Sequence, residues 1–477
     1  MLKRTTVLFL IFFICPVLIT TVFSAELSSG NVSEYWMGIM SDGGRIGYTH
    51  TKITGDNDSM EVYEDSVMNI TVLGTRTSLD LRSDYILGDG KINSFEYSLK
   101  SDSANLELIG VQKGDKLIMR SGGDNPKVIM LDLNRDYILP SLLPGKLASL
   151  GMNKGDEHIF YLFDPIIFYT GGDLTKLKAV VSVKGKEEVS TPSGSYDAYK
   201  VKVDAMGTST DMWITSDGKK VKEEIPPGFV SYLSDESVKN GEDEDSFDIV
   251  KKTSIPSGKI IKNARDVREM KVEIKGIDDF SDLDINDGYR QFLSGNRLDI
   301  NVNGKIGSGN GSGSGSSGDI DKYLKGSNLI NTTDSKIVKK SKQITGNATD
   351  KKKKARLIND WVFENLEKVP TLSIPDSVDI LESRKGDCNE HSVLFAALAR
   401  AAGVPVKVVL GIVYLDGRFY YHAWDEIYAG GWLAVDPTFG QFPADATHIK
   451  LLEGDISKST DIIRVVGKIG LNVLYYQ

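Results

Sequence analysis

Three side chains near the C-terminal end, Cys388, His422 and Asp436, are of types that together perform nucleophilic chemistry at a carbonyl carbon. A thiol nucleophile needs a base that removes its proton and later returns it to the leaving amine, and the base needs a carboxylate that fixes its tautomer. The backbone N–H of Cys388 is a candidate donor to the oxyanion of the intermediate, whereas the sequence identifies no second donor. These residue types predict a catalytic triad that acts on an amide.

The residues around the cysteine predict the start of a helix. Asp387 is followed three residues later by Glu390, just ahead of the apolar run Val393–Ala399, which is the pattern of a capping box. Cys388 then occupies the first helical position, where free amides and the positive end of the helix dipole lower a thiol pKa below its free value of about 8.5. The charge of Asp387 is expected to oppose this effect in part.

Signals for the end of this helix are equally local. Gly403 lies where a left-handed residue commonly follows a helix, and Pro405 cannot continue one, so the helix is predicted over Cys388 to Ala402. The next run, Val406–Tyr414, is continuous and β-branched, which is typical of a strand buried on both faces.

Two hairpins are predicted to bring the histidine to the aspartate. Asp416-Gly417 is a type I′ turn signal, and the strand that returns from it carries His422. A three-residue loop in the second hairpin that pairs Ile427 with Gly431 places His422 directly opposite Asp436, with Cβ atoms about 5 Å apart. A two-residue loop would shift the pairing by one residue and separate them.

Each of these residues also has a simpler interpretation. Cys388 could be a small buried apolar residue, His422 a core histidine and Asp436 a turn residue. Polar neighbours favour a functional thiol, as does the position of the only other cysteine, Cys15, in a predicted signal segment. Cys388 would have no disulfide partner in an oxidising compartment, where an idle accessible thiol is a liability. The joint spacing favours the triad over three separate structural roles.

At this point the motifs resemble a known family. Gly-Asp-Cys-Asn-Glu-His, His-Ala-Trp-Asp-Glu-Ile-Tyr and Gly-Trp-Leu-Ala-Val-Asp-Pro-Thr are similar to the core of the transglutaminase-like superfamily, and the likeness extends over about Lys336 to Gln477. The resemblance implies a papain-like fold with Cys388, His422 and Asp436 as the triad. The family includes cross-linking enzymes, peptidases, amidases and inactive relatives, so the resemblance implies amide chemistry more firmly than a substrate. His391 and His448 are expected to be structural or rim residues.

The first 25 residues have the parts of a secretory signal. Lys3 and Arg4 precede the apolar run Val7–Ile19, and Val22 and Ser24 could occupy the positions before a cleavage site. An uncleaved anchor is the alternative. Export to the periplasm or the cell surface is therefore expected, in agreement with the resemblance of the C-terminal tail to an exported bacterial branch. Apart from such an anchor, no membrane contact is predicted.

Charge and composition exclude some partners. The net charge is −9, and loss of the two positive charges in the signal segment would make it −11. An acidic chain is a poor candidate for binding nucleic acid or an anionic membrane, and a protein or peptide substrate is expected instead. No cofactor and no metal are predicted.

The fold class is predicted to be α+β in two main domains. Residues 26–259 contain short alternating apolar runs separated by turn signals, which predicts an antiparallel β domain that serves as a scaffold or recognition domain. Residues 260–318 are expected to be a connector with a Gly/Ser-rich tether, and residues 319–477 a papain-like, transglutaminase-like α+β domain.

Two functions follow from these observations. The first is an exported cysteine enzyme that catalyses acyl transfer or hydrolysis at a peptide or glutamine-type amide through a Cys388 thioester. The second is a non-catalytic envelope protein in which the β domain binds a ligand and the transglutaminase-like module is an interaction scaffold. The complete set of triad residues favours the enzyme.

Overall fold

The computed structural model describes residues 32–477 except 57, 73, 103–104, 123–125, 134, 173, 242–247, 305–319, 372–373, 375, 455–460 and 463. The predicted signal segment and nearly all of the Gly/Ser-rich tether therefore lie outside the described residues. The described chain divides into two compact units, residues 32–249 and residues 250–477. No helix within the described ranges is both long and apolar enough to cross a membrane.

The N-terminal unit is built on one long antiparallel sheet. Along the sheet its strands run in the order β8 to β1, then β14 back to β9. The strands are β1 (Val32–Ser41), β2 (Gly44–Gly55), β3 (Ser59–Val72), β4 (Thr75–Gly88), β5 (Lys91–Ser101), β6 (Asn105–Lys113), β7 (Lys116–Ser121), β8 (Val128–Asp132), β9 (Glu157–Tyr161), β10 (Lys178–Thr191), β11 (Gly194–Ala205), β12 (Thr208–Thr215), β13 (Lys220–Ile225) and β14 (Phe229–Ser234). Two short helices, α1 (Leu143–Leu150) and α2 (Pro165–Thr170), precede and follow β9.

The turn signals in the sequence account for this topology. Asp42 and Asp89 adopt positive φ, each followed by a glycine that does the same, which closes the β1–β2 and β4–β5 hairpins tightly. Strand β4 alternates buried and outward-facing residues over most of its length, as a strand with one solvated face should. The predicted antiparallel β domain is confirmed.

The C-terminal unit combines helices with smaller sheets, which confirms the mixed α+β class. Its helices are α3 (Ile249–Thr253), α4 (Ser335–Thr345), α5 (Lys351–Asn365), α6 (Ser377–Ser383) and α7 (Cys388–Ala401). Its strands are β15 (Ile255–Pro256), β16 (Glu269–Lys275), β17 (Gln291–Ser294), β18 (Arg297–Asn301), β19 (Glu367–Lys368), β20 (Lys385–Gly386), β21 (Val406–Leu415), β22 (Arg418–Tyr428), β23 (Trp432–Val435), β24 (Ile449–Glu453) and β25 (Gly470–Tyr476). The core forms where α7 packs against α4, α5, α6, β21 and β22.

Residues 269–301 are part of this unit, although the sequence suggested a connector over 260–318. Strands β17, β18, β16 and β25 form an antiparallel sheet in that order, so the last strand of the chain pairs with β16. Strand β15 pairs with β22 next to the hairpin turn. The segment that precedes the tether thus supplies strands to the unit that follows it.

The elements predicted around the candidate triad are present. Helix α7 begins at Cys388 and ends at Ala401, Gly403 has φ +80°, and β21 is buried on both faces as expected. Asp416 and Gly417 both adopt positive φ and join β21 to β22.

The register predicted for the second hairpin is wrong. Its loop has three residues, but the loop lies one position later than predicted, so that Tyr428 pairs with Trp432 and Ile427 with Leu433. Asp436 therefore lies diagonal to His422 rather than opposite it. A shift of two residues keeps both side chains on the same face of the sheet, because side chains alternate with a period of two.

Candidate active site

The first turn of α7 is held by a complete capping box. The Asp387 side chain accepts a hydrogen bond from the backbone N–H of Asn389 (2.9 Å), and Glu390 Oε2 accepts one from the backbone N–H of Asp387 (2.8 Å). Thr371 Oγ1 donates to the same Glu390 oxygen (2.8 Å). Cys388 is consequently fixed at the first helical position, where free backbone N–H groups favour a developing negative charge.

Close packing at this turn requires a glycine before it. A Cβ atom added to Gly386 would lie 2.2 Å from the Cβ of Glu390, a distance that no pair of side chains tolerates. Strand β20, which contains Gly386, pairs in parallel with β19 beside the nucleophile. A segment upstream of the cysteine is thereby held against the first turn of α7.

Burial favours the uncharged form of Asp387. Desolvation, followed by the neighbouring Glu390, raises the pKa of Asp387 well above its ordinary value. The negative charge that the sequence set against a thiolate at Cys388 is thereby disfavoured. Cys388 itself is 0% exposed and forms no disulfide. The structure thus places the candidate nucleophile in the interior, whereas the sequence suggested an accessible thiol.

His422 and Asp436 are in direct contact. His422 Nε2 lies 2.8 Å from Asp436 Oδ2, and both residues are 0% exposed. The other carboxylate oxygen of Asp436 accepts hydrogen bonds from the backbone N–H groups of Thr438 (2.7 Å) and Phe439 (3.0 Å). Burial raises the pKa of Asp436, but His422 and His448 outweigh it and hold this pKa well below its ordinary value. Asp436 is therefore an ionised and firmly oriented carboxylate.

The contacts of His422 suit a neutral base. Its Nε2 donates to Asp436, whereas its Nδ1 has no hydrogen-bond partner among the described residues. Burial lowers the pKa of His422 and outweighs the opposing effect of Asp436, and the charges of His448 and Arg265 lower it further. A neutral imidazole with Nε2 protonated presents a lone pair at Nδ1, which is what a base needs to accept a thiol proton.

An aromatic ring and a guanidinium are layered beside the imidazole. The Phe439 ring stacks on His422 with centroids 5.0 Å apart, and the Arg265 guanidinium lies over the Phe439 ring, 4.7 Å from its centroid. The His422–Asp436 pair is fully buried, and a hydrogen bond is electrostatically stronger in such an environment than in water. Arg265 belongs to the segment treated as a connector, and its contribution was missed by sequence reasoning.

Helix α7 connects the cysteine to this pair. It packs on β22, the strand that carries His422, and the two share one apolar core. His391 lies one turn after Cys388 on α7 and is also fully buried. The helix that begins at Cys388 and the strand that carries His422 are thus neighbours in one core.

The structure adds a second histidine to Asp436. His448 Nε2 lies 2.9 Å from Asp436 Oδ2, the same oxygen that contacts His422, and His448 is fully buried. The sequence analysis treated His448 as a structural or rim residue. Sequence reasoning could not find this contact, because it depends on the return of the chain through β24 to the side of β21 opposite β22.

His422, Asp436 and His448 are also the group in the described part of the chain whose donor atoms could hold a metal ion, since they lie within 4.8 Å of one another. Ligands of a tetrahedral zinc ion, bound at about 2.0–2.1 Å, lie roughly 3.3 Å apart. The two contacts here measure 2.8 Å and 2.9 Å, which are hydrogen-bond distances. The donor set as it stands therefore fits shared protons better than a shared ion.

Part of the C-terminal unit is similar to known proteins. Residues 338–437 match the model of the transglutaminase-like superfamily. An uncharacterized protein of Haemophilus influenzae is 37% identical over 99 residues, which cover 20% of this chain and 27% of that protein. A protein-glutamine gamma-glutamyltransferase of Pseudomonas aeruginosa is 34% identical over 88 residues, which cover 16% of this chain and 13% of that protein. The chain thus spans well under half the length of either relative.

Part of the chain is similar to solved structures, of which one is a protein from Brucella abortus. The beta-barrel-like protein of domain of unknown function DUF1849 from Brucella abortus is 12% identical, covers 44% of this chain and 98% of its own, and superposes with a TM-score of 0.32. The family match includes Cys388, His422 and Asp436 and covers helices α5 to α7 and strands β21 to β23. This chain therefore carries, at residues 338–437, a domain of the transglutaminase-like superfamily.

Proposed function

We propose that the C-terminal unit is a cysteine enzyme that cleaves or transfers the acyl group of a peptide or glutamine-type amide through a thioester on Cys388. One observation carries this proposal: His422 has Nε2 tied to an ionised, buried carboxylate and Nδ1 left with no partner among the described residues. An imidazole in this state is poised to exchange a proton with a thiol and a leaving group.

The chemistry balances with residues of this chain alone. As the Cys388 sulfur attacks the carbonyl carbon, His422 Nδ1 takes the thiol proton, and the backbone N–H of Cys388 donates to the oxyanion. The C–N bond then breaks, and His422 returns the proton to the leaving amine, which leaves a thioester. Water or an amine next attacks the thioester carbon while His422 accepts its proton. The C–S bond then breaks to release the acid or the new amide, and His422 returns the proton to the Cys388 sulfur.

The acceptor decides between hydrolysis and cross-linking, and both use the same thioester. The name of the Pseudomonas relative, protein-glutamine gamma-glutamyltransferase, supports a glutamine side chain as donor and an amine as acceptor. The proposed partner is a protein or peptide outside the cytoplasm, since the first 25 residues have the pattern of an export signal or anchor. The N-terminal β unit would then serve to recognise that partner.

One observation favours the alternative, a non-catalytic envelope binding protein. Cys388, His422 and Asp436 are all 0% exposed, so an amide reaches them only if neighbouring segments move. A non-catalytic scaffold with the same buried core would bind no substrate at these residues and would need no such movement. The two functions therefore differ in whether Cys388 can be reached by a substrate-sized electrophile.

A covalent probe tests this difference. We expect a peptide whose glutamine side chain ends in a chloromethyl ketone to alkylate Cys388 of the full-length protein, as mapped by mass spectrometry. His422→Gln should slow labelling by about 100-fold, because the base that removes the thiol proton is lost. A glutamine peptide with a labelled amine then reports the acceptor: incorporation of the amine indicates transfer, and release of ammonia alone indicates hydrolysis.

Two controls make the result decisive. Cys388→Ala should show no adduct, and His50→Gln, the same substitution in the N-terminal unit, should label at the normal rate. Labelling by iodoacetamide but not by the peptide probe would support the scaffold. A Cys388 that reacts equally fast with and without His422 would overturn the enzymatic proposal.

A further inference from the structure

Two imidazoles bind one oxygen of the triad carboxylate. His422 Nε2 lies 2.8 Å and His448 Nε2 lies 2.9 Å from Asp436 Oδ2, and the two rings are 5.8 Å apart. Both nitrogens must carry a hydrogen, since each faces a carboxylate oxygen at hydrogen-bond distance. The backbone N–H groups of Thr438 and Phe439 donate to Oδ1, so Asp436 accepts four hydrogen bonds in total. A side chain held in this way cannot rotate away from His422.

The two histidines differ at their second nitrogen. His448 Nδ1 faces Asp445, with the backbone carbonyl at 3.2 Å and Oδ1 at 3.4 Å, both of which only accept hydrogen bonds. His448 therefore has acceptors at both nitrogens, and satisfying both requires the doubly protonated imidazolium. His422 has an acceptor at Nε2 only. The contacts thus assign the positive charge to His448 and the neutral form to His422.

Asp445 is itself held in place as a partner for that charge. Its Oδ1 accepts hydrogen bonds from the backbone N–H (2.8 Å) and the hydroxyl (2.5 Å) of Thr447, and its Oδ2 lies 3.1 Å from Arg265 Nη1. His448 and Arg265 outweigh burial and hold the pKa of Asp445 below its ordinary value. The result is a row of alternating charges that runs from the partly exposed Arg265 through the buried Asp445 and His448 to Asp436 of the triad.

We propose that His448 is a positioning residue for His422: as an imidazolium held by Asp445, it locks the Asp436 carboxylate and shares its charge, so that His422 remains the neutral base at neutral pH. Without the second cation, Asp436 would stabilise the protonated form of His422 in full. A His422 that is already protonated could not accept the proton of Cys388. In this role His448 acts through Asp436, which it contacts.

The size of the effect follows from distance. Two unit charges 5.8 Å apart, at an effective dielectric constant of about 20, change each other's pKa by roughly two units. Since His422 and His448 share one carboxylate, we expect loss of the His448 charge to raise the pKa of His422 by about one to two units. The other charged groups around His448 are Asp436, Asp445 and, behind Asp445, Arg265.

Histidine-selective ¹⁵N NMR titration of the full-length protein tests this directly, because imidazole nitrogen shifts report protonation and tautomer. In the unmodified protein, His448 should be doubly protonated and His422 neutral, with its hydrogen on Nε2, near neutral pH. His448→Gln keeps a donor toward Asp436 but removes the charge, and it should raise the pKa of His422 by one to two units. Asp445→Asn removes the counter-charge of His448 and should shift His422 in the same direction.

The controls separate this role from a structural one and from the proposed function. His50→Gln in the N-terminal unit should leave the His422 titration unchanged. If His448→Gln fails to fold, Asp445→Asn still provides the test. A His422 pKa that stays the same in every folded variant, or a neutral His448 in the unmodified protein, would overturn the inference. This inference rests on the proposed function, because it concerns the base of the proposed enzyme. The NMR titration needs no substrate, so it still tests the inference if the peptide probe fails to label Cys388.

Discussion

At the scale of single residues, three buried histidines of the C-terminal unit differ in what their ring nitrogens contact. His448 has acceptors at both nitrogens and His422 at Nε2. His391 Nδ1 lies 2.6 Å from the backbone carbonyl of Asp387, and its Nε2 has no partner among the described residues. Although all three are fully buried, their contacts assign a positive charge to His448 and the neutral form to His422 and His391.

His391 should make the C-terminal unit sensitive to acid. Burial lowers its pKa to about 4, so between pH 6.5 and pH 4 the unfolded chain binds a proton that the folded chain does not. Stability contributed by the neutral form is therefore lost as the pH falls through this window, by roughly 3 kcal/mol at most. His391→Asn keeps a donor toward Asp387 and should remove most of this loss.

Urea unfolding of the two proteins at neutral and at acidic pH measures the difference. The variant should begin with equal or lower stability near neutral pH and lose less on acidification. Parallel loss of stability in both proteins would show that His391 is protonated without cost in the folded state.

At the scale of elements, β13 carries a buried ion pair inside the N-terminal unit. The Lys220 ammonium contacts the Glu223 carboxylate, and the two side chains are 0% and 1% exposed. Glu64 on β3 lies nearby, and burial raises its pKa to about 7, against the opposing effects of Ser141, Ser83 and Lys220. A sheet with so polar a cluster in its interior depends on charge balance, because an unpaired buried charge is costly.

Removing one partner of this pair should therefore cost more than removing both. Lys220→Met should destabilise the N-terminal unit by about 3–5 kcal/mol, because Glu223 is left buried without its cation. The double variant Lys220→Met, Glu223→Gln should recover much of that loss. Chemical denaturation followed by circular dichroism compares the variants. If Lys220→Met is no less stable than the double variant, then loss of Lys220 does not leave an uncompensated charge on Glu223.

At the scale of the whole molecule, the extent of the C-terminal compact unit shows which segments support the candidate active site. Residues 250–303 contribute β15 beside β22, β16 beside β25, and Arg265 beside Asp445. The family match covers residues 338–437 and thus contains neither these strands nor Arg265. The functional unit extends beyond the part that resembles its relatives.

Two fragments test this division. We expect residues 250–477 to fold alone, with a cooperative thermal transition and protection from proteolysis, since they contain a complete core. Residues 319–477 lack β15, which pairs with β22, β16, which pairs with β25, and Arg265, which contacts Asp445. This fragment should be partly unfolded, because two strand edges and a buried carboxylate lose these contacts. Equal stability of the two fragments would show that residues 260–318 act as a connector, as the sequence predicted.

The sequence by itself determined the elements that depend on short-range chemistry. The capping box at Asp387 and the helix after it, the hairpin turn at Asp416-Gly417 and the alternating strands of the N-terminal unit all follow from residues a few positions apart. His422 and Asp436 were also correctly placed on one face, although the register was wrong by two residues, since a shift of two preserves the face.

Tertiary structure alone decided the charges and the partners. Segments distant in sequence pack together to raise the pKa of Asp387, to bury Cys388 fully, and to bring His448 to Asp436 and Arg265 to Asp445. Desolvation and charge–charge interactions act through space, so a sequence pattern that fixes a helix start carries no information about which carboxylate lies across the core.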